Sequence, residues 1–324
     1  MAMTIYDISK KAGVSIATVS RVLNGSENVR PSTRKKVMDV IDKYDYTPNA
    51  FARGMGLHSL KTIGILCADS SDLFLAKAVY FLEQELQANG YESLLCCTGY
   101  NPDIKKNYLN LILSKKVDSI ILVGSHFIGF NEDENQYIKD VSTQVPIMLL
   151  NASFDHPNVY STLCDDYGTM FEAATEMIQS GITDILYLYD SKSYSGLKKL
   201  HGFCDAMKEY NIPGFEKLIH FYDGNIEHLD EVADFVAHIA KKGTPFHGIM
   251  TSDDSLAIGS IKYAQKKGIR IPEELSVMGY NNSMLTNCCT PELTSVDNRL
   301  ETQTHQLVQT LLGAVSYTHL TLPT

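Results

Sequence analysis

Apolar residues recur at helical spacing near the start of the chain and predict two short helices. The repeated apolar positions are Ile5, Ile8 and Ala12 in the first helix and Val19, Val22 and Leu23 in the second. Between them, Gly13 suits the left-handed residue that ends a helix, and the Ser15 hydroxyl can cap the next one. Two helices around so short a turn predict a helix-turn-helix, whose second helix enters the major groove of DNA; an ordinary helical hairpin is the alternative.

A third helix is predicted from Pro31, because proline in a first turn loses no hydrogen bond. Val37, Val40, Ile41 and Tyr44 give this helix an apolar face. The first 45 residues therefore predict a small domain built from helices alone.

Beyond Lys61, apolar runs typical of buried strands alternate with helical patterns. The first strand, Thr62–Cys67, precedes an amphipathic helix that ends at Asn89-Gly90. Further strands are predicted at Ser93–Cys97, Ser119–Val123, Ile147–Leu150, Ile185–Tyr189, Gly248–Thr251 and Val277–Tyr280. The alternation predicts the α/β class: a doubly wound parallel-sheet body in two lobes, joined to the small all-α headpiece.

The exposed face of the second predicted helix suits base recognition. Its residues Ile16, Ala17, Thr18, Ser20 and Arg21 are small or hydrogen-bonding and lie near the N-terminus of that helix. Threonine can contact a thymine methyl group, and arginine can hold guanine O6 and N7 with two hydrogen bonds.

Three strings occur in order along the first 55 residues: TVSRVLNG, VRPSTRKKV and Tyr-x-Pro-Asn-x-x-Ala-Arg. The block Thr4–Met55 resembles the DNA-binding headpiece and hinge of the LacI/GalR family of bacterial transcription regulators, and the resemblance continues more loosely to about residue 313. We therefore predict a headpiece over 1–47, a hinge over 48–60, and a two-lobed effector-binding and dimerisation domain over 61–313, similar to periplasmic sugar-binding proteins.

The helix pattern and the resemblance together give a set of candidate DNA-binding residues. They are Thr4, Ser15, Ile16, Ala17, Thr18, Ser20, Arg21, Asn28, Arg34, Lys35, Asn49, Ala52, Arg53 and Met55. Arg21 is expected to contact a base edge and Lys35 a phosphate. The resemblance implies that the hinge forms a helix on DNA and inserts Met55, where the family usually has Leu, into the minor groove.

The charge distribution agrees with a DNA-binding head on an acidic body. Residues 1–60 hold nine Lys or Arg and five Asp or Glu, a net charge of +4. The remaining residues hold 19 basic and 33 acidic side chains, a net charge of −14, so that the whole chain carries −10. A basic module on an acidic body suits phosphate contacts at one end of the molecule.

Several classes of protein are not indicated. The chain has no H-E-x-x-H, G-x-S-x-G or P-loop motif, and its ten histidines show no metal-ligand spacing, so we expect no enzyme activity, no cofactor and no metal. No signal peptide or membrane span is apparent. The seven cysteines include no C-x-x-C pair, which indicates reduced thiols in the cytoplasm.

Polar residues follow the predicted strands, and ligands of such sheets bind at the carboxyl ends of the strands. The resemblance implies a sugar-type effector there, with Asp72 and Phe74 at the family's Asn-x-Phe, Lys199 in place of Arg, Asp254 in Asp-x-x-Ala-x-Gly, and Asn281 in place of Asp. The candidate effector-binding residues are Asp69, Asp72, Phe74, His126, Asn151, Ser195, Lys199, Asp254 and Asn281. Because the chain has no Trp, stacking on a sugar would fall to Phe74, Tyr194 or Phe130.

The end of the chain is unusual. Residues 307–313 look like the start of a late helix, whereas 314–324 show no helical period. We predict that 314–324 is a non-native tail, such as translated sequencing-adapter read-through, and a genuine short C-terminus is the alternative.

These features together predict a cytoplasmic, homodimeric DNA-binding transcriptional regulator, most simply a repressor. Two-fold symmetry would match a palindromic double-stranded operator, and a sugar bound between the lobes would control operator affinity. Two alternatives remain: control by a protein partner, and a free sugar-binding protein that does not use DNA.

Overall fold

The protein is described here as a computed structural model that covers residues 3–23, 26, 28–46, 59–243 and 245–321. Its first part contains helices α1 Ile5–Ala12, α2 Ile16–Leu23 and α3 Pro31–Lys43. These are the three helices that the apolar pattern predicts, and Pro31 occupies the first turn of α3.

Local chemistry sets the ends of the first two helices. Thr4 caps α1 and forms a reciprocal capping box with Asp7. Gly13 ends α1 in the left-handed conformation, with φ of 61°. The Ser15 hydroxyl accepts a hydrogen bond from the Thr18 N–H at 3.2 Å at the start of α2.

A small core holds the three helices together. It is built from Ile8, Ala12, Val19, Val22, Val29, Val37, Ile41 and Tyr46. The apolar pattern predicts Tyr44 on the apolar face of α3, and this prediction is wrong: Tyr44 follows the last turn of α3 and is exposed. Its ring instead lies under the Lys11 ammonium, 4.3 Å from the ring centroid, and Tyr46 takes the buried position.

The first lobe of the body alternates strands and helices. Its elements are β1 Thr62–Cys67, α4 Leu73–Ala88, β2 Glu92–Cys97, α5 Pro102–Ser114, β3 Ser119–Val123, α6 Gln136–Ser142, β4 Ile147–Leu150 and β5 Val159–Thr162, with 3-10 turns at Ser125–Phe127 and Asp133–Asn135. The strands form a parallel sheet in the order β2-β1-β3-β4-β5.

The second lobe repeats the same architecture. Its elements are α7 Asp166–Gln179, β6 Ile185–Tyr189, α8 Tyr194–Glu209, β7 Ile219–Phe221, α9 Leu229–Lys241, β8 Gly248–Thr251, α10 Asp254–Lys267, β9 Ser276–Tyr280 and β10 Thr294–Val296, with 3-10 turns at Phe215–Leu218 and Met284–Asn287. The parallel order is β10-β9-β8-β6-β7.

All seven strands predicted from apolar runs are present, two of them beginning one residue earlier than expected. The strands that the pattern missed are β5, β7 and β10, and each lies at a sheet edge. An edge strand is covered less completely than a central one, so its sequence need not be a continuous apolar run. The doubly wound, two-lobed α/β prediction is confirmed.

The last helix, α11, spans Leu300–Thr321 and returns to the first lobe. The sequence pattern predicts a helix that begins near residue 307 and loses its period after 313, and both limits are wrong. Ala314 and Val315 are buried, in the same core as Leu82 and Leu86 of α4. The helical period continues for at least these two residues, and the foreign origin of 314–324 stays a prediction.

In the parts of the chain that the structure describes, no helix combines the length and the apolar character needed to cross a bilayer.

Candidate functional site

The outward face of α2 carries the residues expected to read DNA. Ile16, Ala17 and Arg21 are exposed, whereas Val19 and Val22 are buried in the headpiece core. The hydroxyls of Ser15 and Thr18 lie 2.8 Å apart and hydrogen-bond to each other. Helix α2 thus has a packed face and a face of exposed or half-buried small and basic side chains, as a recognition helix requires.

Among the other residues predicted to contact DNA, some side chains are exposed and others are hydrogen-bonded within the headpiece. Asn28 and Lys35 are exposed. The Arg34 guanidinium donates to the Ser26 carbonyl at 2.6 Å, so it secures the loop that precedes α3. Thr4 is exposed, but its hydroxyl is used in capping α1. The hinge candidates lie outside the described residues: Asn49, Ala52, Arg53 and Met55.

In the body, polar side chains from both lobes meet around an inner cavity of about 90 Å³. The first lobe contributes Asp72, Phe74, Ser125, His126 and Asn151, and the second contributes Asp190, Ser193, Ser195, Lys199, Asp253 and Asn281. Seven of the nine predicted effector residues therefore lie together here. The Ser125 hydroxyl donates to Ser193 Oγ at 2.8 Å and joins the two lobes at this point.

The strand-end rule explains why these residues converge. Asp72 follows β1 and caps α4, where its Oδ1 accepts from the Leu75 N–H at 2.8 Å. Asp190 directly follows β6 and accepts from the Ser252 hydroxyl at 2.8 Å. Burial raises the pKa of Asp72, and the Asp190 carboxylate adds to the rise.

The adjacent carboxylates Asp253 and Asp254 have different roles. Asp253 lines the cavity and accepts hydrogen bonds from the Ser255 N–H and the Asn281 amide, both at 2.8 Å. Burial, and then the charge of Asp190, raise the pKa of Asp253 to about 7.

Asp254 does not line the cavity, contrary to the expectation from the sequence. Its carboxylate accepts from the Ser283 N–H and the Ser295 hydroxyl, both at 2.6 Å, and so joins α10 to the segments before and within β10. Its side chain is buried, and burial raises its pKa. After β8, the carboxylate that lines the cavity is that of Asp253, one residue earlier.

Lys199 is a buried cation in the wall of the cavity. Its ammonium donates to the Ser252 carbonyl at 3.0 Å and lies 3.8 Å from the centroid of the Tyr280 ring. One of its three N–H donors and a cation–π contact are therefore used within the protein.

Two lining groups of the inner cavity have no hydrogen-bond partner among the described residues. The Asn151 Oδ1 is buried and unpaired. Ser195 is 5% exposed, and no hydrogen bond to its hydroxyl is present in the described part of the chain. A buried, unpaired atom such as Asn151 Oδ1 is uncommon and favours a binding partner.

An outer cavity of about 650 Å³ adjoins the inner one and shares Asp72, His126, Asp190 and Asp253 with it. It is lined further out by carboxylates and aromatic rings, namely Asp69, Asp223, Glu227, Tyr100, Phe221 and Tyr222. The rings of Tyr100 and His126 meet edge to face at 4.8 Å. Burial, and then the neighbouring Lys105, lower the pKa of His126, which favours its neutral form.

Sequence reasoning located most of this cleft but missed several of its groups. Asp69 lines the outer cavity. The stacking candidates Phe130 and Tyr194 line neither cavity, and Phe130 is 72% exposed. The missed residues are Asp190, Ser193, Asp253, Tyr100, Phe221 and Tyr222; of these, Asp190 follows a predicted strand directly and could have been found by the same rule.

Comparison with known proteins assigns the family. Residues 60–320 match the family described as "Periplasmic binding proteins and sugar binding domain of LacI family". Residues 4–49 match "Bacterial regulatory proteins, lacI family". The chain belongs to the LacI family. It is a DNA-binding transcriptional regulator with an effector-binding domain, and it is not an enzyme.

Individual relatives and a solved structure agree with the assignment of this regulator to the LacI family. It is 50% identical to an HTH-type transcriptional regulator of Lachnoclostridium phytofermentans, over 97% of its own length and 93% of the length of that relative. It is 33% identical, over 91% of its length and 87% of theirs, to catabolite control protein A of Priestia megaterium. Its fold is similar to that of the Lac repressor dimer bound to operator and the anti-inducer ONPF, with a TM-score of 0.86, 20% identity, and coverage of 98% and 94% of the two chains.

Proposed function

We propose that this regulator is a homodimeric, cytoplasmic repressor whose affinity for a palindromic operator is controlled by a sugar bound between the two lobes. The observation that carries the proposal is the cleft itself, where seven predicted effector residues from both lobes surround one cavity. Hydroxyl, amide and carboxylate groups in such a cavity can hold the hydroxyls of a sugar, and Phe74 offers an aromatic face.

The interlobe hydrogen bond suggests how ligand binding would reach the DNA. Ser125 and Ser193 face each other across the cleft at 2.8 Å. A sugar held by residues on both walls would stabilise one relative arrangement of the lobes. In a dimer, that arrangement would set the spacing of the two headpieces, which must match the half-sites of the operator.

The coupling has a required symmetry. If the sugar weakens operator binding, operator DNA must weaken sugar binding by the same factor. Measuring both affinities therefore tests the coupling without assuming whether the sugar acts as inducer or corepressor.

The test uses the full chain and palindromic DNA selected from a random pool. We expect a sugar from a neutral, amino and phosphorylated panel to change the operator affinity in a gel-shift titration, and to bind in calorimetry. Ser125→Ala should weaken sugar binding, because it removes the interlobe hydrogen bond, while operator binding without sugar stays within a few-fold. Ser114→Ala, on the exposed surface of α5, is the matched control.

Two outcomes would overturn the proposal. If no member of the panel binds, control by a protein partner becomes the better explanation of how this regulator is switched. If a sugar binds in the cleft but leaves operator affinity unchanged, the proposed coupling fails.

A further inference from the structure

We propose that the effector is an amine-bearing sugar, and that the cleft discriminates against sugar phosphates and sugar acids. The inference rests on the proposed function, in that it assigns a chemical class to the ligand of the same cleft. It comes from the kinds of polar groups that surround the two cavities.

Carboxylates outnumber cations among the residues that line both cavities. Asp72, Asp190 and Asp253 line the region that the inner and outer cavities share. Asp69, Asp223 and Glu227 continue the acidic wall outward. Since like charges in a partly buried site repel each other, a positively charged ligand would relieve a strain that a neutral ligand would leave in place.

The cations nearby do not balance these carboxylates at the ligand surface. Lys199 is directed to the Ser252 carbonyl and the Tyr280 ring. Lys105 donates to the His126 carbonyl at 2.6 Å and lines neither cavity. Lys192 lies 4.6 Å from the Phe221 ring and also lines neither cavity. An anionic ligand would therefore meet one ammonium, that of Lys199 at the inner cavity, against six carboxylates around the two cavities, and no arginine fork among the residues that line them.

The polar groups of the inner cavity that lack a hydrogen-bond partner among the described residues also favour an amine-bearing ligand. The buried Asn151 Oδ1 can only accept a hydrogen bond, and it has no donor among the described residues. The Ser195 hydroxyl, 5% exposed and without a partner in the described chain, can accept as well. A ligand rich in O–H and N–H donors would satisfy these groups, and an ammonium adds donors without adding acceptors.

Two further observations favour an amino sugar over other cations as the ligand of the cleft. No three His, Cys, Asp or Glu side chains among the described residues are arranged to hold a metal ion. The outer cavity, about 650 Å³, falls within the usual range for organic ligands and is lined by Tyr100, Phe221 and Tyr222, whose faces suit both sugar rings and ammonium groups.

The experiment is calorimetric titration of the full chain with matched ligands that differ in charge. The ligands are glucosamine and its β-linked disaccharide, the corresponding neutral glucose sugars, the N-acetyl derivatives and glucosamine 6-phosphate. We expect the amine-bearing ligand to bind about tenfold or more tightly than its neutral and N-acetyl counterparts, the low end of what a charge-assisted hydrogen bond provides. The phosphate derivative should bind more weakly than the amine alone.

Variants that replace a carboxylate with an amide test which residues cause the preference for an amine-bearing sugar. Asp190→Asn keeps an oxygen that can accept from Ser252 Oγ, and Asp72→Asn keeps an acceptor for the α4 cap. Each should reduce the preference for the amine over the neutral sugar, measured as the ratio of their affinities for the same variant, by about tenfold. Asp155→Asn makes the same charge change at an exposed position that lines neither cavity, and should have no effect.

The outcomes distinguish this inference from the proposed function. Binding of a neutral or phosphorylated sugar at least as tightly as the amine, with operator control intact, would overturn the charge preference and leave the sugar-controlled repressor standing. An amine preference that survives in both cleft variants would also overturn it. Absence of binding by any sugar would overturn both proposals.

Discussion

The headpiece and the cleft are both regions built to bind, yet they carry opposite charge and hold their polar groups differently. The headpiece lies in a segment of net charge +4 and presents Arg21 and Lys35 on its surface. The cleft gathers Asp72, Asp190 and Asp253 where the lobes meet. Exposed cations suit a polyanion that arrives from solvent, whereas enclosed carboxylates suit a small ligand that is surrounded.

The opposite charges of the headpiece and the cleft indicate how each region would favour its own ligand, operator DNA or a small effector. A phosphate backbone is attracted to the headpiece and repelled by a body of net charge −14. The charge preference proposed for the cleft would likewise exclude phosphorylated metabolites. The following predictions test this division of labour, beginning with the largest expected change in free energy.

Arg21→Ala should weaken binding to the best operator by about 1–3 kcal/mol and relax the preference at one base pair, because a bidentate contact to guanine is lost. Lys35→Ala should instead weaken binding to all sequences alike and reduce the salt slope by about one unit. Affinities across single-base operator variants at several salt concentrations separate the two roles. A uniform loss for Arg21→Ala would remove it from base reading, and neither variant should change ligand binding in the cleft.

Deleting residues 314–324 should lower the stability of the body by about 2 kcal/mol, because the buried Val315 side chain leaves the core shared with α4. Deleting only 316–324 should change the melting temperature little if that stretch is a foreign tail. Thermal unfolding of both truncations tests this. An equal loss in the two would show that residues after Val315 also pack against the body, which would contradict the predicted foreign origin of 314–324, and the headpiece should be affected in neither.

Raising the pH from about 6.5 to about 8 should destabilise the ligand-free protein by about 1 kcal/mol through Asp253. Its pKa is about 7 in the folded protein against 3.8 ordinarily. Across this window the folded protein therefore loses a proton that the unfolded chain has already released. His126, whose pKa is lowered from 6.5 by burial, acts in the opposite direction, because near pH 6.5 the unfolded chain still holds part of a proton there that the folded protein has released.

Denaturant unfolding at the two pH values measures this effect. Asp190→Asn should reduce it, since the Asp190 charge helps to raise the pKa of Asp253, while Asp155→Asn should not. A pH dependence that is the same in Asp190→Asn and the unaltered protein would contradict the electrostatic coupling across the cleft.

The DNA-reading surface could be predicted from sequence more completely than the cleft could. Helix α2 is one continuous segment, so its period assigns Val19 and Val22 to the core and Arg21 to the surface. The cleft is assembled from strand ends far apart in the chain. The rule that ligands bind at the carboxyl ends of strands identifies the segments that approach the ligand, but not which side chains of a segment face it. Asp254 was predicted because it matches the family's Asp-x-x-Ala-x-Gly motif, yet of the two adjacent carboxylates only Asp253 lines the cavity.

The sequence by itself determined the helix ends at Thr4, Gly13 and Pro31 and the central strands of both sheets, because capping, backbone conformation and long apolar runs are local properties. Only the tertiary structure decided that Asp190 and Asp253 face Asp72 across the lobes, that Asp254 joins α10 to β10, and that α11 extends to bury Val315. These outcomes depend on which elements become neighbours, and a pattern within a single element carries no information about the side chains that will face it.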